Sequence, residues 1–194
     1  HIGSLPRTPE LLDLLKRRQD GEDVDPDLWR QTAREATEIV IQRQGDVGLD
    51  IVNNGEQPRV SFNWYVANRL SGIDGTSEAP LWDDLKEYPE YAETEFKTDI
   101  IDLTTQPAVT GPVEYVGTEA AQQEIDSFTE LLAESDADFE GTFITSAAPG
   151  IAATSLANEY YDSHREFLFA LADALSEEYE MIAETGATLQ LDAP

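Results

Sequence analysis

Apolar residues recur every three or four positions along several stretches of the chain, a spacing typical of amphipathic helices. Two of these stretches begin at Thr8-Pro9 and Asp25-Pro26, where a capping side chain precedes a proline at the first helical position. Helices are therefore predicted at about residues 9–19, 26–47, 60–71, 118–134 and 163–185. In the second helix the apolar positions predict a buried face made of Leu28, Ala33, Ala36, Ile39, Val40 and Val47.

Short, nearly continuous apolar runs alternate with these helices and predict strands. They lie at residues 49–54, 99–103, 108–115, 141–146 and 188–192, residues 1–4 are predicted to be the end of a strand followed by a turn, and residues 72–95 are predicted to form a loop. Helices between the strands favour an α/β fold with about four or five parallel strands, covered on both faces. That is about half of a (β/α)₈ TIM barrel, although a doubly wound sheet would produce the same alternation. No G-x-G-x-x-G motif follows the first strand, which weakens a dinucleotide-binding interpretation.

The charge of the chain limits its partners. Its 40 acidic and 12 basic residues give a formal net charge of −28, and the acids are dispersed over every predicted helix and loop. Dispersed acids favour a halophilic protein that stays in solution at high salt over one that binds a basic partner. The strong net negative charge also disfavours nucleic acid and anionic membranes as partners, because both would be repelled.

Three absences narrow the classes of protein further. The sequence has no cysteine, so its residues form neither a disulfide framework nor a thiolate metal site. Its longest apolar runs are too short to span a bilayer. No signal peptide precedes the first predicted strand, and we expect a cytoplasmic protein. The first residue is His1 rather than Met, from which we expect a processed or truncated chain.

The first candidate motif is the segment from His1 to Arg7, with Gly3-Ser4 just after the first predicted strand. Turn amides and a hydroxyl at such a position form a concavity that binds an anion such as a carboxylate. A plain connection between strand and helix would have the same sequence. His1 taken alone is more typical of a terminal or packing histidine than of a metal ligand.

The second motif is the segment from Leu49 to Arg59, in which Gly55 allows a sharp turn and directs Glu56 to the strand end. A carboxylate at that position is suited to a substrate ammonium group. The alternative is a local ion pair between Glu56 and Arg59 on a solvated loop, an arrangement that contributes little.

Two further motifs lie at predicted strand ends. Gly111-Pro112 interrupts the strand predicted at 108–115, either as a bulge beside a ligand or as the strand terminus. Asp192 ends the last strand, where site residues of βα barrels are found, although it would equally cap a following helix.

Taken together and in order, these motifs resemble the catalytic barrel of the cobalamin-independent methionine synthases, especially their short single-barrel relatives. The matching elements are His1-Ile2-Gly3-Ser4, Leu49-Asp50 through Gly55-Glu56 with Arg59, Gly111-Pro112-Val113, and Leu189 through Pro194. The stretch from Arg59 to Tyr65 is similar to the short relatives rather than to the two-barrel enzymes. The resemblance covers the whole chain. It implies that residues 1–194 are the amino-terminal half of one barrel, with no second domain.

The resemblance also implies a function, which is methyl transfer to the thiol of homocysteine to make methionine. Ser4 with the turn amides would bind the amino acid carboxylate, and Glu56 with Asp192 would bind its ammonium. The implied homocysteine-binding residues are Ile2, Gly3, Ser4, Glu56 and Asp192, with Arg59, Tyr65, His1 and Gly111 as weaker candidates.

The metal site of the family is missing from this sequence. The family binds zinc through a His, two Cys and a Glu in the second half of the barrel. We therefore expect Zn²⁺ in the intact barrel, no metal ligand in this chain, and no activity from this chain alone. The missing carboxy-terminal half and a methyl donor are the expected partners. The donor would be a methylated folate, its methanopterin analogue or a methylcorrinoid protein.

Two alternatives remain. A related zinc-dependent alkyl transferase would use another thiol such as coenzyme M, but a sulfonate acceptor has no ammonium for Glu56 and Asp192 to bind. A non-catalytic subunit that has lost the metal-binding half would keep the recognition residues without the chemistry.

Overall fold

The computed structural model describes residues 3–60, 62–79, 86–88, 90 and 105–193. Their contacts form two compact units. The first combines residues 3–60, 117–147 and 176–192, and the second contains described residues of 62–116 and 148–175, with residue 193. The described elements are, in order, α1 (Pro9–Gln19), α2 (Pro26–Asp46), β1 (Ile51–Val52), α3 (Phe62–Arg69), β2 (Ile73–Glu78), β3 (Thr105–Val109), α4 (Thr118–Glu134), β4 (Gly141–Ala147), α5 (Pro149–Ser155), β5 (Ala157–Asn158), α6 (His164–Glu184) and β6 (Thr188–Asp192).

The sheet of the first unit has the strand order β1-β4-β6, and both strand pairs are parallel. Helices separate these strands in the sequence, so the α/β prediction is confirmed. The register places Ile51 beside Gly141 and Ala147 beside Asp192. The carboxyl ends of β4 and β6 therefore lie side by side.

Two apolar clusters stabilise the first unit. The larger joins the sheet to α2, α4 and α6 through Ile41, Val52, Ile125, Phe128, Leu131, Ile144 and Ile182. The smaller joins α1 to α2 through Leu11, Leu15, Ala33 and Ala36. Both predicted N-caps are confirmed, since Thr8 accepts a hydrogen bond from the amide of Leu11 and Asp25 accepts from those of Asp27 and Leu28.

The buried face predicted for α2 is partly wrong. Leu28, Ile39 and Val47 are exposed, with Val47 74% accessible. The face that packs inward instead repeats at three- and four-residue steps through Ala33, Ala36, Thr37, Val40, Ile41 and Gln44. Two polar residues lie on this face because each satisfies its own hydrogen bonds. Thr37 donates to the carbonyl of Ala33, and Gln44 donates to that of Asn53.

Gln44 also explains why the strand predicted at 49–54 is only two residues long. Its side chain accepts from the amide of Asn53 at 3.2 Å and donates to the Asn53 carbonyl at 2.8 Å. A side chain of α2 thus replaces the neighbouring strand at this point. The chain is then free to turn at Asn54.

The sheet of the second unit has the order β2-β3-β5, with β2 antiparallel and β5 parallel to β3. The prediction of a loop across 72–95 is wrong for Ile73–Glu78, which form β2. This strand is largely exposed and polar, so its sequence has no apolar alternation, and backbone pairing with β3 defines it. The strand predicted at 99–103 lies outside the described residues. No described helix combines the length and the apolar character needed to cross a membrane.

The predicted strand at 108–115 ends earlier than expected, because β3 stops at Val109. Gly111-Pro112 therefore follows the strand terminus rather than interrupting a strand. The amides of Thr110 and Gly111 both donate to the carbonyl of Gly72, and a Cβ on Gly72 would lie 2.4 Å from the Pro112 carbonyl oxygen. Close backbone packing thus accounts for the glycines here.

Candidate functional site

The candidate site is centred on a tight turn after β1. The amide of Gln57 donates to the carbonyl of Asn54 at 3.4 Å, and the two residues between them have positive φ, 63° at Gly55 and 54° at Glu56. This combination is typical of a type I′ turn. A Cβ on Gly55 would lie 3.1 Å from side-chain atoms of Leu5 and Val40, so a glycine is required by space as well as by conformation.

Glu56 is the only non-glycine residue with positive φ among the described residues. A left-handed conformation costs a residue with a Cβ about 1 kcal/mol or more, and such strain is concentrated at functional sites. Side chains hold the turn in place. Asn53 accepts from the amide of Gly55, and Asn54 accepts from that of Glu56. The turn thus fixes the direction in which the Glu56 side chain projects.

Arg7, the last residue of the first motif, fixes the same turn. Its guanidinium donates to three turn carbonyls, those of Glu56 at 2.8 Å, Gln57 at 3.2 Å and Arg59 at 2.6 Å. The amide of Leu5 also donates to the carbonyl of Gly55. These bonds hold Ser4 beside Glu56. Burial lowers the pKa of Arg7, and the charge of Glu56 opposes that shift.

Both carboxylate oxygens of Glu56 accept hydrogen bonds from hydroxyl groups. Ser4 Oγ donates to Oε2 at 2.9 Å, and Thr145 Oγ1, from β4, donates to Oε1 at 3.0 Å. Ser4 is exposed, whereas Thr145 is only 4% accessible. The structure therefore brings together two residues of the implied homocysteine site, Ser4 and Glu56, and adds Thr145.

Arg59 forms a buried ion pair rather than the solvated local pair with Glu56 that the sequence allowed. It is 8% accessible, and its Nε and Nη2 both lie 2.9 Å from Glu124 Oε1. Its Nη1 donates to Thr145 Oγ1 at 3.0 Å. Burial acts to lower the pKa of Arg59, but Glu124, Glu178 and Glu56 together raise it above the ordinary value. Arg59 thus stays charged inside an acidic setting.

Asp192, at the end of β6, belongs to the same unit. Partial burial is the main cause that raises the pKa of its carboxyl, and the charge of Glu56 raises it further while Arg59 opposes the shift. The two acids are therefore near enough to repel each other. A cation between them would relieve that repulsion, as the sequence analysis expected for a substrate ammonium.

A second buried acid lies on the opposite face of β4. Ser146, next to Thr145, donates to Glu178 Oε1 at 2.7 Å, and both residues are almost fully buried. Burial raises the pKa of Glu178 to about 7, although the charge of Arg59 opposes the shift. The neighbouring Tyr179 donates to the carbonyl of Ala147, and burial, followed by the charge of Glu178, raises its pKa to about 12.

The other predicted residues have different outcomes. His1 and Ile2 lie outside the described residues. Gly3, at φ 95°, has open space where a Cβ would lie. Tyr65 and Gly111 belong to the second unit, where Tyr65 is buried with the Arg69 guanidinium 5.4 Å from its ring centroid. The roles of all these residues in homocysteine binding remain predictions.

Sequence reasoning assigned no role to Arg7, Glu124 or Thr145. Arg7 was visible as the end of the first motif, and Thr145 precedes Ser146 at the end of a predicted strand. Glu124 is one of many acids on an amphipathic helix, and nothing in the sequence distinguishes it. Its side chain is 7% accessible, and Asn54 donates to it at 2.8 Å. Within the part of the chain that the structure describes, no three His, Cys, Asp or Glu residues are grouped to hold a metal ion.

The fold and site define an α/β protein with a strained acidic turn at the edge of a parallel sheet. A sequence model of the family described as "Cobalamin-independent synthase, Catalytic domain" matches residues 1–84. Over all 194 residues the chain is 25% identical to the methionine synthases of Saccharolobus solfataricus and Thermococcus kodakarensis, covering 51% of each. A 5-methyltetrahydropteroyltriglutamate–homocysteine methyltransferase of Bacillus cytotoxicus is 33% identical over 75 residues, which are 39% of this chain and 10% of that protein.

Solved structures show the same relationship at the level of the fold. A B12-independent methionine synthase from Shewanella sp. W3-18-1 aligns with a TM-score of 0.67 at 20% identity, over 99% of this chain and 50% of that one. A protein of Listeria monocytogenes described as a putative vitamin-B12-independent methionine synthase aligns with a TM-score of 0.61 at 21% identity. The predicted resemblance to the cobalamin-independent methionine synthases is confirmed. The chain spans about half the length of the relatives it matches, which fits the predicted amino-terminal half.

Proposed function

We propose that this chain supplies the amino-acid-recognition half of a homocysteine S-methyltransferase that makes methionine. The observation that supports the proposal most strongly is the Glu56 carboxylate, which projects from a strained turn between two hydroxyl donors and whose charge contributes to the raised pKa of the Asp192 carboxyl. Two acids whose charges repel each other suit an ammonium group, which has three donors and a positive charge. The names of the relatives agree with homocysteine as the acceptor.

The hydrogen bond between Ser4 and Glu56 suggests how the amino acid would be bound. Without a substrate the Ser4 hydroxyl donates to Glu56 Oε2, so it has no proton left for a substrate carboxylate. An incoming ammonium would donate to Oε2 in its place. The Ser4 hydroxyl would then rotate toward the substrate carboxylate, together with backbone amides near Gly3. Binding of the two ends of the amino acid would therefore be coupled.

We propose that the intact protein is a complete (β/α)₈ barrel, with this chain as its first half. The half-length match to the relatives and the parallel sheet of the first unit support this proposal. The second half would come from the rest of the same protein or from another chain. Within this chain, β1 and β6 are the edge strands of the described sheet, and further parallel strands would pair there.

Zinc does not fit the residues of this chain that the structure describes. The sequence has no cysteine, and no suitable acidic or histidine group exists among the described residues. We therefore propose that zinc, which would favour the thiolate form of homocysteine, is bound by residues outside this chain. The residues described here would bind and orient the substrate, and this chain alone would not transfer a methyl group. Metal analysis of the intact protein should find about one zinc per barrel, and its absence would contradict this proposal.

The direct test is a methionine-forming assay on the intact protein with L-homocysteine as acceptor. A methylated folate, its methanopterin analogue and a methylcorrinoid protein are supplied as donors in turn, with the methylated folate first because a relative's name includes it. Methionine formation with any donor supports the proposal. Turnover of coenzyme M instead of homocysteine would establish the related alkyl transferase. Zinc-free protein without turnover of either thiol would indicate a non-catalytic subunit.

A further inference from the structure

Thr145 and Arg59 are joined to Glu56 by hydrogen bonds whose direction is fixed by chemistry. A guanidinium only donates, so Thr145 Oγ1 must accept from Arg59 Nη1 at 3.0 Å. A carboxylate only accepts, so the single Thr145 proton must point to Glu56 Oε1 at 3.0 Å. The hydroxyl therefore has one orientation.

We propose that Thr145 is a positioning residue for the substrate ammonium, and that Arg59 acts through it by orienting its hydroxyl. This inference rests on the proposed function of the site. Thr145 would hold Glu56 Oε1 from the protein side, which turns Oε2 and the remaining lone pairs toward the ligand. Neither residue would contact the reacting sulfur.

The surroundings of Thr145 make it a rigid support. It lies in β4, where the strand is paired with β6 and Gln190 is its register partner, and it is almost fully buried. Arg59 is anchored in turn by two nitrogens on Glu124 Oε1, which also accepts from Asn54 at the start of the turn. The network thus begins and ends at the Asn54–Glu56 turn, so the position of the carboxylate is fixed at both its backbone and its tip.

This arrangement predicts selectivity for an amino group rather than general support of the fold. If Thr145 acts through Glu56, its hydroxyl matters only for ligands that bind Glu56. L-homocysteine has the ammonium, and 4-mercaptobutanoate is the same thiol acid without it. Loss of the hydroxyl should therefore reduce the preference for homocysteine while leaving the weaker binding of 4-mercaptobutanoate unchanged.

The test compares three variants of the intact protein by calorimetric titration with each of the two thiols. Thr145→Val keeps the shape of the side chain and removes its hydroxyl, while Thr145→Ser keeps the hydroxyl and removes a methyl group. Thr188→Val, at an exposed threonine of β6, is the matched control. We expect Thr145→Val to weaken homocysteine about tenfold, the size expected for one hydrogen bond to a charged group. Thr145→Ser should restore most of that affinity, and Thr188→Val should bind like the unaltered protein.

The outcomes separate this inference from the proposed function. Failure of the unaltered protein to bind homocysteine would overturn both. Normal binding by the unaltered protein together with equal losses for the two thiols in Thr145→Val would overturn the inference alone, because it would indicate a general structural role. The same holds if Thr145→Ser is as weak as Thr145→Val. In a Glu56→Gln background, the Val substitution should have little further effect, and a full additional tenfold loss would also overturn the inference.

Discussion

The two carboxylate oxygens of Glu56 are bound in the same way but in different surroundings. Oε2 accepts from Ser4, whose Oγ accepts in turn from Arg7 at 3.2 Å, and Oε1 accepts from Thr145, whose Oγ1 accepts from Arg59. Each side is thus an arginine, a hydroxyl and a carboxylate oxygen. The Ser4 side is exposed and the Thr145 side is buried.

Burial decides what each side can do. Water can replace an exposed hydroxyl at little cost, whereas a buried carboxylate oxygen that loses its donor remains unsatisfied. The Ser4 side is therefore suited to exchange its partner for a ligand, and the Thr145 side is suited to remain fixed. A site that must release one hydrogen bond to bind its substrate benefits from one exposed, exchangeable side and one buried, fixed side.

The largest expected difference between the two sides is in the arginines. Arg59→Met would remove the guanidinium that balances the buried Glu124 carboxylate, and should reduce the free energy of unfolding by about 3–5 kcal/mol. Arg7→Met, on the exposed side, should reduce it by about 1–2 kcal/mol through lost bonds to turn carbonyls. Chemical denaturation at fixed high salt measures both. Equal losses would contradict the distinction between the buried and the exposed side.

A pH-dependent effect of nearly the same size is expected at Glu178. Its pKa is raised from 4.5 to about 7, so the folded protein holds a proton that the unfolded chain releases between those values. The contribution of Glu178 to the free energy of unfolding is therefore fully present below about pH 4.5 and is lost as the pH rises to about 7. The total loss over this range is about 3 kcal/mol.

The measurement is the unfolding free energy of the unaltered protein minus that of Glu178→Gln at each pH, which removes the contribution of all other acids. This difference should fall as the pH rises from about 4.5 to about 7. Glu177→Gln, at the exposed neighbour on α6, should follow the unaltered protein. A difference that does not change with pH would indicate that Glu178 stays ionised in the folded state.

Glu56→Gln tests the carboxylate itself. The amide keeps the size of the side chain but loses the negative charge, and homocysteine affinity in the intact protein should fall about a hundredfold. Glu184→Gln, at the exposed end of α6, is the control and should bind normally. Unchanged affinity in Glu56→Gln would show that the ammonium binds elsewhere, and would favour a thiol acceptor without an amino group.

The smallest effect is expected for Ser4→Ala. Water can donate to Glu56 Oε2 in place of the missing hydroxyl, so homocysteine affinity should fall only about two- to fivefold. The loss should be smaller than that of Thr145→Val measured in the same titration. A Ser4→Ala loss as large as that of Glu56→Gln would place the main anchor on the exposed side and reverse the comparison.

The parts of the site predicted from sequence are those that depend on local pattern. Glu56 was identified because Gly55 marks a turn after an apolar run, and Asp192 because it ends a strand. Thr145 and Glu124 were not, because their roles depend on contacts with Glu56 and Arg59 across 89 and 65 positions of sequence. A solvated pair of Glu56 with Arg59 stayed open as an alternative for the same reason, since the buried partner of Arg59 is distant in sequence.

In the fold, too, the elements defined by local sequence pattern were predicted and those defined by distant contacts were not. Helices α1, α4 and α6 match their predictions closely, because apolar spacing and capping residues define them. The polar strand β2 was missed because it has no apolar alternation and is defined by pairing with β3. The short β1 was overestimated because the side chain of Gln44 ends its pairing.

The central claim is that Glu56 holds the substrate ammonium while Thr145 holds Glu56. A crystal structure of the intact protein with bound L-homocysteine tests it most directly. We predict the amino nitrogen about 3 Å from Glu56 Oε2, the Thr145 hydroxyl still on Oε1, and the Ser4 hydroxyl turned to the homocysteine carboxylate. A bound homocysteine whose amino group does not contact Glu56, or a Glu56 carboxylate that has left Thr145, would contradict the account.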